Sequence, residues 1–503
     1  MGSGKKVVSG VVWTLAANVV NAVYGFISVP ILIRYFGKSE YGLIGLAMSI
    51  NVYLRLLDMG FNSTNVRFFS AWLAEKKLDK VKKAFQTSLG FYGFIGLINA
   101  GVLLVLSFFS DSIFNVDAAQ DVILKRLIHI LCFTAFLSWL MSCLDQMVKA
   151  TENVAYVQRC TLFSKVLMVA ILFITVYGRL SIEMYFALTC TASLAIMPLC
   201  VRKIRKETPF VTFLPKIDWG TLREMLPYSL NIFSFSLFQF SFYNLRPMFL
   251  GMQGTVESVA DFKVLNGIAG AVSMFGGAFI GSLLPSTARV VAQNNKEAYY
   301  RVAYSGTRYV SIVMSFGCFG IVAVGTDLLS VYVGKEFLYL LPWLNLWMFT
   351  LLFTHNQAIS SLILAGSDIR AITYNSAIAS VLGLVVTWFT IPKFQVGGTV
   401  LGYVVYLMTQ ILFYYFYYWP RKMQIKSGKV FLGSFLPYAV IGLAACFAAK
   451  YANINDNCLW NGLAKGTVFA ILFGVLTWIV VPREDKGLIS GFVKSIVKKI
   501  RVK

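Results

Sequence analysis

Apolar residues run along this chain in long blocks, not in the short alternations of half-buried strands or the one-sided stripes of soluble helices. A helix needs ~20 such residues to cross a hydrocarbon core, and about fourteen blocks of that kind follow one another between Val7 and Val480. The pattern predicts an all-α polytopic membrane protein with about 14 transmembrane helices. The connecting loops are short. Those most visible are AEKKLDKVKK (74–83), VRKIRKETPFVTFLPKIDWGTLRE (201–224) and the acidic SDSIFNVDAAQD (110–121). After Lys5 and Lys6 the first block, up to Arg34, is long enough to span and shows no cleavage site of the signal-peptide kind.

Polar positions inside the blocks carry the chemistry. In the second block, Asn51, Arg55, Asp58, Asn62 and Asn65 fall at spacings of 4, 7, 11 and 14, inside a narrow arc of a 3.6-residue helix. A charge at the bilayer centre costs roughly 2.5–3.5 kcal/mol on insertion scales. The stripe therefore predicts a polar or wet surface opposite it. Arg55 and Asp58 could also neutralise each other one turn apart, but the asparagines extend the stripe past that pair.

Other blocks add candidates. The first carries Thr14, Asn18, Asn21, Gly25 and Ser28 on one face, which suits either a cavity lining or close helix packing. Lys165 lies in the fifth, deep enough to face a cavity or to snorkel. The seventh aligns Ser236, Gln239, Tyr243 and Arg246, and Pro247 predicts a bend or stop there. The eighth opens with Asp261 and Lys263, read as buried or as interfacial residues. The tenth shows Asn345, Asn356 and Ser360 beside His355.

Composition agrees with a membrane protein: 58% hydrophobic, 13% charged, mean hydropathy +0.70. The net charge of +23 raises the question of nucleic acid. If both termini are cytoplasmic, however, most of the 45 Lys and Arg fall on the inner side, as the positive-inside rule requires, and no nucleic-acid partner is expected. After Pro482, Leu488, Phe492, Ile496 and Ile500 share one face and Lys494, Lys498 and Arg501 another, which suits a helix on anionic membrane lipids or a plain basic tail.

The eight cysteines show no CxxC or metal spacing, and no metal or other cofactor is expected. With two histidines, no phosphate-binding loop and no extramembrane region of domain size, catalysis has no candidate residue. The four intramembrane cations Arg55, Lys165, Arg246 and Lys263 are expected to share a cavity with Asp58 and Asp261, giving it net positive charge. Asn18, Asn21, Asn51, Asn62, Gln239, Tyr243 and Asn356 would complete its polar lining. Such a cavity suits an anion, and the arginine fork suits diphosphate oxygens. Asp58 and Asp261 are candidates for coupling to an ion, a proton or sodium, and equally for charge partners of Arg55 and Lys263.

The stretch IRYFGKSEYGL (33–43) resembles the hairpin joining the first two helices of bacterial polysaccharide transporters, with arginine, a short gap, an apolar residue and glycine, then tyrosine-glycine. LLDMGFNSTNVRFFSAW (56–72), KIDWGTLREMLPYSL (216–230) and LILAGSDIR (362–370) are similar to later segments of the same family, in the same order. The family is the polysaccharide transporter branch of the MOP (multidrug, oligosaccharidyl-lipid, polysaccharide) flippase superfamily. Ala260-Asp261-Phe262-Lys263 departs from the family's glycine, apolar, tyrosine, small run, so no ligand role carries over to it.

The resemblance implies two six-helix bundles, pseudo-two-fold related around a central cavity, plus two C-terminal helices. On this chain they would be residues 1–200, a basic cytoplasmic linker 201–224, residues 225–420, helices 13 and 14 within 421–482, and the tail 483–503. It also implies alternating access that moves an undecaprenyl-diphosphate-linked oligosaccharide across the bacterial inner membrane for O-antigen, capsule or exopolysaccharide assembly, alongside polymerase and export machinery. Two alternatives stand beside it: a cation-coupled small-molecule exporter of the same superfamily, which would prefer an acidic cavity, and a non-transporting scaffold for a polysaccharide polymerase.

Overall fold

The computed structural model describes residues 3–292, 296–365, 369–454, 457–483 and 485–486. The basic tail from 487 onward, with its expected amphipathic face, lies outside the described residues. Among those described there is no strand. Eleven helical spans among the described residues are long and apolar enough to cross a membrane, or twelve with the bent pair Lys38–Asp58 and Phe61–Ala74. Two further helices, Trp219–Gln253 and Val256–Ala292, reach 35 and 37 residues. They occupy the positions of the seventh and eighth apolar blocks. The all-α, multi-pass architecture expected from the apolar pattern is therefore present.

The chain forms two compact units: Met1–Gly267 with Leu384–Thr399, and Ile268–Gly383 with Val400–Lys503. The first contains α1 (Ser3–Phe36), α2 (Lys38–Leu54), α3 (Phe61–Ala74), α4 (Leu78–Phe108), α5 (Ala118–Ala150), α6 (Val154–Gly178), α7 (Ile182–Leu194), α8 (Met197–Glu207), α9 (Trp219–Gln253) and the start of α10 (Val256–Ala292). Local chemistry sets many of the ends. Asp117 and Gln120 form a reciprocal capping box at the start of α5, at 2.8 and 3.1 Å. The Ser181 and Asp218 side chains accept from backbone N–H groups of α7 and α9. Arg179, at φ 51°, turns the chain out of α6.

Within this unit α4 packs along α5 and α1 along α6. The core gathers Phe61, Phe69, Phe85, Tyr92, Trp139, Met147 and Cys200, all buried. At Gly42 the backbone carbonyl of Val256 comes so close that a Cβ would sit 2.1 Å from its oxygen, so only glycine lets α2 meet α10 there. Pro247 does not stop α9, which runs on to Gln253. Prolines are tolerated inside membrane helices when neighbouring groups take up the freed carbonyl.

The second unit contains α11 (Thr307–Tyr332), α12 (Leu341–Leu352), α13 (Gln357–Ala365), the first part of α14 (Ile369–Phe394), most of α15 (Val396–Leu412), α16 (Leu436–Ala449) and α17 (Cys458–Val480). α11 packs against α16 and α17. It is tied to α17 by a buried ion pair, Lys465 Nζ to Asp327 at 2.7 Å. Arg308 and Tyr309 of α11 both hold the Asp485 carboxylate, the tyrosine at 2.7 Å. Wide π-helical turns at 302–306, 413–423 and 431–435 and a tight 3-10 turn at 353–356 interrupt its helices. All eight cysteines are free thiols, six of them buried.

Candidate functional site

The second apolar block is not one helix. α2 ends at Leu54, a 3-10 turn covers Arg55–Asp58, and Met59 and Gly60 take left-handed φ values of 49° and 80° before α3 begins. The axis bends by 45°. Gly60 is there because a Cβ would meet the Ser229 carbonyl oxygen of α9 at 2.5 Å, at a φ that side chains avoid. The same Ser229 donates its hydroxyl to the Met59 carbonyl at 2.6 Å, satisfying an acceptor the break releases.

The break changes the expected stripe. Asn51, Arg55, Asp58 and Asn62 stay beside accessible space, but Asn65 is phased away and fully buried. Its amide donates to Gln146 Oε1 at 2.6 Å and accepts from Ser88 Oγ at 2.9 Å. A periodicity counted across two left-handed residues loses its phase, which is why the arc could not hold as far as Asn65.

From Asn65 a buried polar chain returns to the break. Gln146 Nε2 donates to the Tyr92 hydroxyl at 2.9 Å, and Tyr92 donates to Asp58 Oδ1 at 2.6 Å. The other Asp58 oxygen accepts from the Asn62 backbone N–H at 3.0 Å, serving the first turn of α3. Asp58 thus spends its oxygens on Tyr92 and Asn62 and makes no ion pair with Arg55. The two charges still act on each other through space, but without a direct contact. Arg55 is instead exposed toward a cavity of about 360 Å³.

That cavity is lined on one side by Arg55, Asp58, Asn62 and Ser63, and on the others by Trp139 and Ser142 of α5 and Phe233, Ser236 and Phe240 of α9. A narrow cleft continues from it past Asn51, Asn99 and Ser138, with room for about one water, ≈ 10 Å³. The wall therefore mixes one guanidinium, a carboxylate already satisfied by two donors, hydroxyls, amides and aromatic faces. Such a set can hold an anionic oxygen and stack or hydrogen-bond a polar ring.

The remaining candidates lie elsewhere. Lys165 Nζ sits 5.2 Å from the Tyr24 ring centre. Arg246 is enclosed by the rings of Phe242, Tyr243 and Phe262, its guanidinium carbon 4.9–5.6 Å from their centres. Lys263 runs its alkyl chain past Gly45 of α2. Asp261 pairs with Lys38 at 2.8 Å, not with Lys263. These two charges are 223 positions apart in sequence and meet only because α2 and α10 cross. The four cations and two aspartates expected to share one site are thus not gathered at this cavity, where Arg55 is the cation and Asp58 the carboxylate. Asn18, Asn21, Gln239 and Tyr243 are exposed and outside its lining, and Asn356 is buried in the second unit. Ser138, Ser142 and Gln146 were missed, although a spacing of four along α5 is a legible polar stripe.

Comparison with known proteins decides the family. The sequence pattern of the family described as polysaccharide biosynthesis protein matches residues 7–291, more than half of the chain. This chain belongs to the polysaccharide biosynthesis protein family. No curated protein matches it. Among solved structures it is similar to the lipid II flippase MurJ in an inward closed conformation, at 14% identity and a TM-score of 0.72, over 93% of this chain and 98% of that one. It is also similar to an inward-facing multidrug resistance MATE family transporter of the MOP superfamily, at 13% identity and TM-score 0.61, over 78% and 92%. A third likeness is the MATE multidrug transporter DinF-BH, at 13% and 0.56, over 82% and 95%. At these identities the likeness is one of fold. The polysaccharide biosynthesis family member has the fold of MOP-superfamily flippases and transporters, and its cavity at the α2–α3 break lies within the stretch that carries the family pattern.

Proposed function

We propose that this polysaccharide biosynthesis family member is a flippase for undecaprenyl-diphosphate-linked oligosaccharides, moving them by alternating access from the cytoplasmic to the periplasmic leaflet of a bacterial inner membrane, with both termini cytoplasmic. The observation that carries the reading is the geometry at the break: Arg55 faces a cavity without a direct ion pair while Asp58, three residues on, is held by Tyr92 and Asn62. A diphosphate cannot cross hydrocarbon unaided, and a guanidinium in an open, polar pocket offers two parallel donors to its oxygens. Asn62, Ser63, Ser142 and Trp139 suit sugar hydroxyls and ring faces.

The chain acts as a transporter and not as an enzyme, and needs no cofactor besides a coupling ion, proton or sodium. Asp58 is the better coupling site of the two aspartates, because Asp261 is already committed to Lys38. Surface polysaccharide assembly, as O-antigen, capsule or exopolysaccharide, with polymerase and export proteins as partners, follows from that cargo.

Arg55→Ala is expected to abolish complementation of a flippase-deficient strain at normal membrane abundance, with Arg55→Lys keeping part of it because the charge stays and the fork is lost. Unimpaired surface polysaccharide in the alanine variant removes Arg55 from the mechanism. Resistance to cationic dyes conferred by the chain, with intact polysaccharide on its deletion, would favour a multidrug exporter.

A further inference from the structure

Between α4, α5 and α8 lies a second opening of a different character. A groove of about 410 Å³ is lined by Leu89, Gly90 and Gly93 of α4, Phe136, Leu140 and Leu144 of α5, Met197 and Val201 of α8, and Phe213 and Pro215 of the strap between α8 and α9. Every one of these side chains is apolar. We propose that this groove is a binding site for an anionic phospholipid, one acyl chain lying in the groove and the phosphate resting on Arg205 and Lys216.

Three observations meet here. First, the groove lies at the level of the first turns of α4 past its charged start and of the last turns of α5, a depth that belongs to acyl chains of the adjoining leaflet. Second, the strap that roofs it and the first residue of α9 are built like an interfacial segment: Leu214 is 72% and Trp219 67% exposed, with Lys216 exposed between them. Apolar and indole side chains left open beside a lysine are stable at the headgroup boundary and costly in water. The strap is held in that position by backbone, Lys216 N–H donating to the Gln86 carbonyl at 3.2 Å, and by Gln86 Nε2 to Thr212 Oγ1 at 2.8 Å. It is thus a fixed wall of the groove.

Third, the rim is cationic. The Arg205 guanidinium lies over the ring of Phe213, 5.6 Å from its centre, so it sits at the mouth of the groove. Lys216 directly follows Pro215 of the lining, and Arg202 and Lys206 are exposed on the same short helix as Arg205. Lys203, by contrast, is taken up by Glu207 at 2.7 Å. An acyl slot with a basic rim is complementary to a lipid whose headgroup carries net negative charge; a zwitterionic lipid brings the same phosphate with a cation beside it, which the rim repels.

The test uses the full-length protein in detergent, with native mass spectrometry against phosphatidylglycerol, phosphatidylcholine and undecaprenyl phosphate as probes. A Cβ at Gly93 meets nothing closer than Leu140 Cδ2 at 3.9 Å, so Gly93→Phe can fill the groove without disturbing the backbone. Wild type is expected to retain phosphatidylglycerol in preference to phosphatidylcholine, and Gly93→Phe to lose that adduct. Arg205→Gln with Lys216→Gln changes only exposed side chains. It should keep the melting temperature and lower phosphatidylglycerol retention about fivefold per residue, the worth of ~1 kcal/mol for each basic side chain near an anionic surface. Undiminished phosphatidylglycerol binding in Gly93→Phe, or equal retention of phosphatidylcholine by wild type, overturns the proposal. So does displacement of phosphatidylglycerol by undecaprenyl phosphate at the Gly93-sensitive site, which would make the groove a resting place for a carrier lipid.

Discussion

Each unit interrupts a helix in its interior, and the two interruptions are resolved in opposite ways. In the first unit the break between α2 and α3 is resolved with polar groups: Ser229 takes the Met59 carbonyl, Asp58 takes the Asn62 N–H, and the buried Tyr92, Gln146, Asn65 and Ser88 tie that aspartate to α4 and α5. Accessible space opens beside it. In the second unit the 353–356 turn between α12 and α13 is resolved with rings. His355 is fully buried, stacked on Phe435 with centres 4.1 Å apart, its Nδ1 3.0 Å from the Leu352 carbonyl and its Nε2 2.5 Å from the Tyr415 hydroxyl. The lesson is that the backbone groups freed by a broken membrane helix can be met by quite different side chains. At the first break they are met by hydroxyl and carboxylate groups beside accessible space, at the second by a stacked imidazole.

Substitutions at the two breaks can take this contrast apart. The largest effect is expected for Gly60→Val, which forces a branched side chain into a left-handed φ and against the Ser229 carbonyl. The conformational penalty alone is about 1–2 kcal/mol before the clash is added. Membrane abundance and the detergent melting temperature should both fall sharply, and a stable, fully active valine variant would show that the joint is not built as described.

Next is Tyr92→Phe, which keeps the ring and removes one hydroxyl. Gln146 then loses its acceptor and Asp58 a donor, in a buried setting where an unmet polar group costs about 1–3 kcal/mol. Lower thermal stability together with reduced polysaccharide export is expected. Full stability with unchanged export would mean that water replaces the hydroxyl and that the relay is dispensable.

The smallest effect belongs to His355→Phe. The stack on Phe435 survives, and two hydrogen bonds are lost at a net cost of about 0.5–1.5 kcal/mol each. Export should persist at near wild-type level. If the phenylalanine variant is abundant yet inactive, the second break is a working site and the contrast between the two disappears.

How much of this could be read from the chain follows the same division. The helices came from the apolar blocks, because lipid leaves the backbone few other ways to satisfy itself. Arg55 and Asn62 were visible as polar positions in an apolar run, and they do face the cavity. Helical counting from Asn51 puts Asn65 on the wrong surface because two left-handed residues reset the phase, and Met59 gives no sequence hint of adopting one. The partner of Asp261 was beyond reach, since Lys38 is near in space and far in sequence. The α5 stripe of Ser138, Ser142 and Gln146 was legible, and weighing hydroxyls and amides as heavily as charges would have found it.

The contact between Gly60 and Ser229 has a mechanical corollary. Because the joint beside Arg55 meets the α9 backbone with no side chain as a cushion, sliding α9 along its axis would have to break the Ser229–Met59 hydrogen bond or carry Met59 and the 3-10 turn with it. The turn that carries Arg55 is thus fixed to α9 on one side, and α2 meets α10 just as closely where Gly42 faces Val256.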